Sequence, residues 1–195
     1  MFKKIRDENN LKPEEIEKIN TRYKVYTNVI ANLWKKRMNW EEFEPKDGVN
    51  AFVSPSFNMA CMAYNLTPGP LWHSREVLTD PKIIEFAKKV SIDLTGDPVE
   101  MEAYKRDRGK YRKAPLVVEV WARGQKFTGS AEYSKGESWN PDYRLTKHEL
   151  VAKFEGNVYG VLGERQIHQI IRAVDHLEQV GDINELIKLV SSGSG

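Results

Sequence analysis

The chain has 195 residues, enough for one domain with a real core, and its 40% hydrophobic and 30% charged content is that of a globular protein rather than a disordered one. Thirty Lys and Arg against 28 Asp and Glu leave a net charge of +2, which implies no broad electrostatic attraction to nucleic acid or to a membrane surface. The single cysteine, Cys61, excludes a disulfide within the chain, and no apolar run approaches the roughly 20 residues that a bilayer crossing needs.

The N-terminus Met1-Phe2-Lys3-Lys4-Ile5-Arg6 runs directly into Asp7 and Glu8. It has no apolar h-region, so no signal peptide is expected and the expected location is cytoplasmic. Phe2 and Ile5 are three apart, and residues 1–9 read as the end of a truncated helix without a cap before it. Alternation at Tyr23 and Val25 with β-branched neighbours predicts a strand around residues 16–27. Trp34, Trp40 and Phe43 sit among charges, and residues 31–50 read as an irregular segment.

Ser54-Pro55 is a helix start, with Ser as N-cap and Pro at the first helical position. Phe57, Ala60, Cys61 and Tyr64 follow at i, i+3, i+4 and i+7 as one apolar face, and Thr67-Pro68-Gly69-Pro70 stops that helix. Asp80-Pro81 repeats the device, with Ile83, Ile84 and Ala87 as the buried face, and Val90, Ile92 and Leu94 alternate as a strand. Residues 95–114 are polar and read as a long loop carrying a basic cluster from Lys105 to Lys113. A hairpin over 116–133 follows, with Val118, Val120 and Ala122 in one arm, Phe127, Gly129 and Ala131 in the other, and a turn at Gly124-Gln125.

After a second loop, Lys135 to Leu145, the run Thr146-Lys147-His148-Glu149 is a capping box that opens a helix over 146–160 with Leu150, Phe154 and Val158 toward the core. A further helix over 164–179 carries Ile167, Ile170, Ile171, Val174 and Leu177. Gly181 ends it, and Asp182 and Glu185 cap a last short helix with Ile183, Leu186, Ile187 and Val190. The order strand, helices, strand, hairpin, helices predicts an α+β fold, an antiparallel sheet with helices packed on it, in one domain over 1–190 followed by a flexible tail, 191–195.

The four histidines, His73, His148, His168 and His176, show neither H-x-x-x-H nor H-E-x-x-H spacing, and read as surface or structural groups, so no metal site is expected. Cys61 in mid-helix reads as a small hydrophobe rather than a nucleophile. The basic stretch Lys105, Arg106, Arg108, Lys110, Arg112 and Lys113 is interleaved with Asp107, preceded by Glu102, and reads as a solvated segment.

The collinear set Asn10-Leu11-Lys12-Pro13-Glu14-Glu15-Ile16, Ser54-Pro55-Ser56-Phe57-Asn58-Met59-Ala60, Asp80-Pro81-Lys82-Ile83, the hairpin from Val117 to Phe127, Tyr133-Ser134-Lys135-Gly136, Asn140-Pro141, Leu145-Thr146 with Glu149-Leu150 and Lys153-Phe154, and the helix from Asp182 to Leu189 resembles the C-terminal domain of the MmgE/PrpD family. No single one of these motifs is specific; their order over residues 10–190 is. The family includes 2-methylcitrate dehydratase, cis-aconitate decarboxylase and iminodisuccinate epimerase, built from a large all-helical domain and a smaller α+β lid.

The resemblance implies a lid domain or small subunit of a lyase or epimerase for small di- or tricarboxylic acids, with chemistry that needs no metal and no cofactor. Its partner would be the family's helical domain, as a separate subunit or as another part of the chain, in a homo- or hetero-oligomer. The alternative is a non-catalytic interaction or assembly module that keeps the fold. The family's Lys-x-Tyr/Phe-Pro motif should lie just before residue 1, and a lid tyrosine should fall near 40–43, where this chain has Trp40-Glu41-Glu42-Phe43. No catalytic residue is therefore assigned here. The expected substrate-binding residues are Trp40, Ser54, Ser56 and Asn58, because a helix N-terminus presents N–H groups and a positive dipole end to a carboxylate. Ordinary helix capping by Ser54 stands beside that reading.

Overall fold

The first helix, α1 (Phe2–Glu8), buries Phe2 and Ile5, and Pro13–Glu15 form a 3-10 turn that leads into β1 (Ile16–Val25). The structure, a computed structural model, describes residues 1–25, 28, 32, 51, 54–110, 112–137 and 140–191. The last two positions of the expected first strand, the irregular segment with Trp34, Trp40 and Phe43, and positions 192–195 of the expected tail lie outside the described residues. These residues divide into two units, Met1–Arg144 and Leu145–Gly195.

In the first unit β1 is followed by α2 (Pro55–Ala63), the short α3 (Arg75–Leu78) and α4 (Pro81–Ala87). Next come β2 (Val90–Gly96), α5 (Pro98–Arg106), β3 (Leu116–Ala122) and β4 (Gln125–Ala131). The starts of α2 and α4 are those the Ser-Pro and Asp-Pro pairs predict: Ser54 Oγ accepts from the Phe57 N–H and Asp80 Oδ1 from the Lys82 N–H. The expected long loop over 95–114 is corrected, because Pro98–Arg106 is helical. Asp97-Pro98 is the same starting device, and Asp97 Oδ1 accepts from the Val99 N–H at 2.9 Å. The helix lacks a buried stripe, so periodicity did not reveal it; its cap, the Lys24–Asp97 pair at 2.8 Å and the Lys105–Glu102 pair at 2.9 Å support it instead.

The sheet order is β2-β1-β3-β4. β1 pairs antiparallel with β3, and β3 with β4, as the expected antiparallel sheet requires. β1 and β2 are parallel, with Ile19 opposite Val90 and Tyr23 opposite Leu94. A parallel neighbour needs a crossover of about a dozen residues or more, and the stretch between Val25 and Val90 that carries α2, α3 and α4 supplies it. The hairpin turn is the two-residue Arg123-Gly124, one position earlier than expected, with φ of 54° and 67° and Ala122 opposite Gln125. Two successive positive φ values suit the twist of a tight hairpin.

One face of the sheet carries Ile19, Thr21, Val90, Ile92, Val118, Val120 and Ala122, all buried. Helices α1, α2 and α4 contribute Phe2, Ile5, Phe57, Ala60, Cys61, Ile83 and Phe86 to the same core. Each fully buried Phe or Ile contributes roughly 1.5–3 kcal/mol, and the rings meet edge-on at Tyr64 and Phe86, 6.0 Å apart and inclined at 75°. The opposite face is polar. Glu119, 7% exposed, takes Arg22 Nη1 at 2.7 Å and Lys126 Nζ at 3.0 Å, and Lys18 and Lys126 flank the Trp121 ring.

The second unit holds α6 (Lys147–Val158), α7 (Glu164–Asp175), a 3-10 turn at Leu177–Gln179 and α8 (Ile183–Val190). The predicted capping box is formed: Glu149 N–H donates to Thr146 Oγ1 at 3.2 Å and Thr146 N–H to Glu149 Oε2 at 2.8 Å. The expected core face of α6 is corrected in one place. Phe154 and Val158 are partly buried, but Leu150 is exposed. Val174, Leu177, Ile183, Ile187 and Val190 are also about half exposed. Only Ile167 and Ile170 of this unit are buried among the described residues, since three short helices enclose too little volume to cover an apolar stripe on each.

The start of β1 is latched to the hairpin turn. Arg123 donates to both Glu15 carboxylate oxygens, at 3.0 and 2.7 Å, and to the carbonyls of Asn9 and Asn10. The Arg123 hydrogen bonds and the Lys12 N–H hold the Glu15 carboxyl down from the ordinary 4.5 to about 2. A depressed carboxylate stabilises the fold above its unfolded-state pKa, and that stabilisation is lost as pH falls through the folded value. The melting temperature should therefore fall between pH 4.5 and 2, and Glu15→Gln should lower it at pH 7 while reducing its slope in that window. Thermal scans by circular dichroism check this; an unchanged slope in the variant would remove Glu15 from the latch.

Candidate functional site

The expected site residues sit at the start of α2. Ser54 is extended, with φ −95° and ψ 103°, and its N–H donates to the Ala51 carbonyl at 3.1 Å. Its hydroxyl oxygen accepts from the Phe57 N–H at 3.3 Å. Pro55 has no N–H, and the Asn58 N–H goes to the Ser54 carbonyl at 3.0 Å. Most of the first turn is thus satisfied within the chain. Ser54 and Ser56 are buried, whereas Asn58 is only partly so. Trp40, the fourth expected residue, lies outside the described residues.

The fold fixes where this turn lies. The far end of α2 is bound by Arg6, whose guanidinium donates to the carbonyls of Met62 and Ala63, and α1 continues from there to Asn9 and Asn10 beside the hairpin turn. That turn adjoins the start of β1, since Ile16 lies opposite Ala122. Midway, Met59 Sδ meets Thr21 Oγ1 at 3.9 Å. Helix α2 therefore runs back along β1, and Ser54 lies toward the end of the sheet where β1 and β2 both finish. Helix α5 leaves from the same end, where the Asp97 N–H donates to the Val25 carbonyl at 2.8 Å.

Arg6 had no sequence signal. It is 5% exposed, and Asp7 Oδ1 takes its Nε at 2.8 Å and its Nη2 at 2.5 Å. The guanidinium caps two carbonyls at a helix C-terminus, where the dipole favours a cation, and the Met62 carbonyl also accepts from the Asn65 N–H at 3.1 Å. A charged group so rarely buried is found only by seeing which carbonyls it meets. Cys61 is fully buried in mid-helix, and burial pushes its thiol up to about 12, so it stays neutral and packs as an apolar group. His148, His168 and His176 are exposed, and no three His, Cys, Asp or Glu side chains converge to hold a metal ion among the described residues. No helix of the described residues is long and apolar enough to cross a membrane.

Comparison with protein families matches residues 1–179 to the MmgE/PrpD C-terminal domain. No curated protein matches the chain.

Ser54 is the first test of how this turn is used. If its hydroxyl serves as the N-cap, Ser54→Ala should lower unfolding stability by about 1 kcal/mol without changing the fold, read as the shift of the urea midpoint at constant slope. A loss below about 0.3 kcal/mol would mean that the hydroxyl is not the cap that holds the turn.

Proposed function

This chain belongs to the MmgE/PrpD family through its C-terminal domain, and on that premise we propose that it is the lid or small subunit of a lyase or epimerase acting on small di- or tricarboxylic acids. The family match over residues 1–179 is the observation that carries the reading. In a dehydratase or an epimerase the reaction would begin by removal of a proton α to a carboxylate. In a dehydratase the carbanion would then expel hydroxide, protonated by the acid to leave as water, and in an epimerase it would take a proton back on the other face. In a decarboxylase the loss of carbon dioxide would itself leave the electron pair on carbon, which the acid would protonate. The acid and base would come from the family's helical domain. This chain would close over the substrate, exclude water and hold a carboxylate. Chemistry free of metal and cofactor, and a cytoplasmic setting, belong to the same proposal.

The substrate-holding residues we assign are Trp40, Ser54, Ser56 and Asn58, with Asn58 leading because it is the least buried of the three described. The helix dipole adds roughly 0.3–1 kcal/mol for a carboxylate at an exposed N-terminus. An apolar groove of about 290 Å³ between α6 and α7, lined by Leu150, Phe154, Ile170, Ile171 and Val174, supports a helical partner that covers it. A second reading, a non-catalytic assembly module, is favoured by one observation: the Ser54 hydroxyl and most first-turn N–H groups already have partners inside the chain.

The test is reconstitution. The 195-residue chain alone should not turn over 2-methylcitrate, cis-aconitate or iminodisuccinate. Combined with an MmgE/PrpD helical domain it should bind that domain and gain activity on one such acid. In that complex Asn58→Ala and Ser56→Ala should each reduce kcat/KM at least tenfold, about 1.4 kcal/mol of transition-state stabilisation. Effects within about twofold, some 0.4 kcal/mol, in a complex that is otherwise active would remove the site assignment. Binding of the helical domain without activity on any acid would favour the assembly module.

A further inference from the structure

The basic stretch after α5 is mostly exposed, as a solvated segment would be, but it folds back to line a cavity. Asp107 ends the helix, and Arg108 and Gly109 follow with φ of 56° and 78°. The Gly109 N–H donates to the Tyr104 carbonyl at 2.9 Å and the Arg108 N–H to the Lys105 carbonyl at 3.1 Å, the paired bonds of a Schellman stop. A Cβ on Gly109 would be strained at that φ and would lie 3.4 Å from Tyr104 Oη, so the reversal suits glycine. It returns Lys110, Arg112 and Lys113 alongside Arg106 on the last turn of α5. The opposite wall is Tyr133, just beyond β4, held where the Ala114 N–H donates to the Glu132 carbonyl at 2.8 Å.

The cavity is partly open and about 170 Å³ in volume, with Tyr104 and Tyr133 among its walls. Four cations line it, Arg106, Lys110, Arg112 and Lys113, against two carboxylates, Glu100 and Asp107, an excess of two positive charges. Asp107 pairs with Arg112 at 3.1 Å and approaches Arg106 at 4.0 Å, and Glu132 on the rim takes Lys113 at 3.0 Å. With Glu132 counted the excess is one. Gathering like charges at one concave mouth focuses a positive potential there. The mixture of planar guanidinium forks, point-charge ammonium groups and aromatic walls suits a compact group of more than one negative charge. A phosphomonoester carries roughly −1.5 to −2 at pH 7 on one centre, and a single carboxylate only one charge.

We propose that this cavity binds the phosphoryl group of a small molecule. The site is separate from the start of α2 and stands independently of the carboxylate reading given for that turn. Titration of the full chain at low ionic strength with inorganic phosphate and with phenyl phosphate, followed by calorimetry and amide NMR, tests it. Saturable binding is expected, with shifts concentrated at residues 103–113 and 132–133. Arg112→Gln and Lys110→Gln should each weaken it at least fivefold. Because Arg112 also pairs with Asp107, circular dichroism and the melting temperature of each variant separate the loss of a phosphate contact from a disturbed turn. No histidine is among the described lining residues. Phenyl phosphate binding should therefore weaken as pH falls below about 6, where the phosphoryl group of a monoester takes up a proton, and sulfate binding should weaken less. Tighter binding of phenyl phosphate would support an organic phosphate whose ring lies against the tyrosines, and equal affinity would support inorganic phosphate. Shifts that spread over the chain without saturation, unchanged affinity in both variants, or a preference for tricarballylate over both phosphates would overturn the proposal.

Discussion

Everything in the first unit is arranged around β1, because both of its edges are filled. Ile19 lies opposite Val90 on one side and Val120 on the other, so a single apolar residue sets the register of three strands. A slip of one residue would carry Ile19 and Thr21 to the face where Arg22 and Lys24 stand, and carry those charges into the core. The parallel partner on one edge and the antiparallel partner on the other also fix where the chain can cross. Both β1 and β2 must finish at the same end, and the segments that follow them must leave from it.

Much of this arrangement could be read before the structure, and the parts that could not share a cause. The starts of α2, α4 and α6 were evident from Ser54-Pro55, Asp80-Pro81 and the Thr146–Glu149 box, since each satisfies backbone donors locally. The strands around Val90 and Val118 were evident from alternation. Helix α5 carried the same Asp-Pro signal, but its polar surface spoke for a loop; a helix held by caps and ion pairs has no apolar period to detect. The parallel pairing of β1 with β2 is a long-range choice that no local window contains. Neither does any window reveal that Arg6 would meet carbonyls 56 and 57 residues further along the chain.

The candidate site divides the same way. Ser54 could be recognised as a cap from its neighbour Pro55, and the capping bond is present. The sequence does not show that the cap leaves Ser54 and Ser56 buried while Asn58 keeps some exposure, because burial depends on α1, α4 and the sheet closing around α2. It also does not show that the basic residues from Arg106 to Lys113 face one another across a reversed turn. Their spacing looks like a solvated run, and the convergence comes from two successive positive-φ residues.

The outer face of the sheet and its end differ in how their charges are matched. On the face, Glu119 is met by Arg22 and Lys126, and Trp121 lies between two lysines, so buried carboxylate and exposed cations answer one another across neighbouring strands. That surface needs nothing from outside to be stable. At the end where β1 and β2 finish, a helix begins at Ser54, and four cations meet three carboxylates, Glu132 included, after α5. Helix starts and connections are freer than strands in what they present, because no register ties their side chains to a partner. The sheet's fixed register therefore brings the start of α2 and the basic turn after α5 to the same end of the first unit.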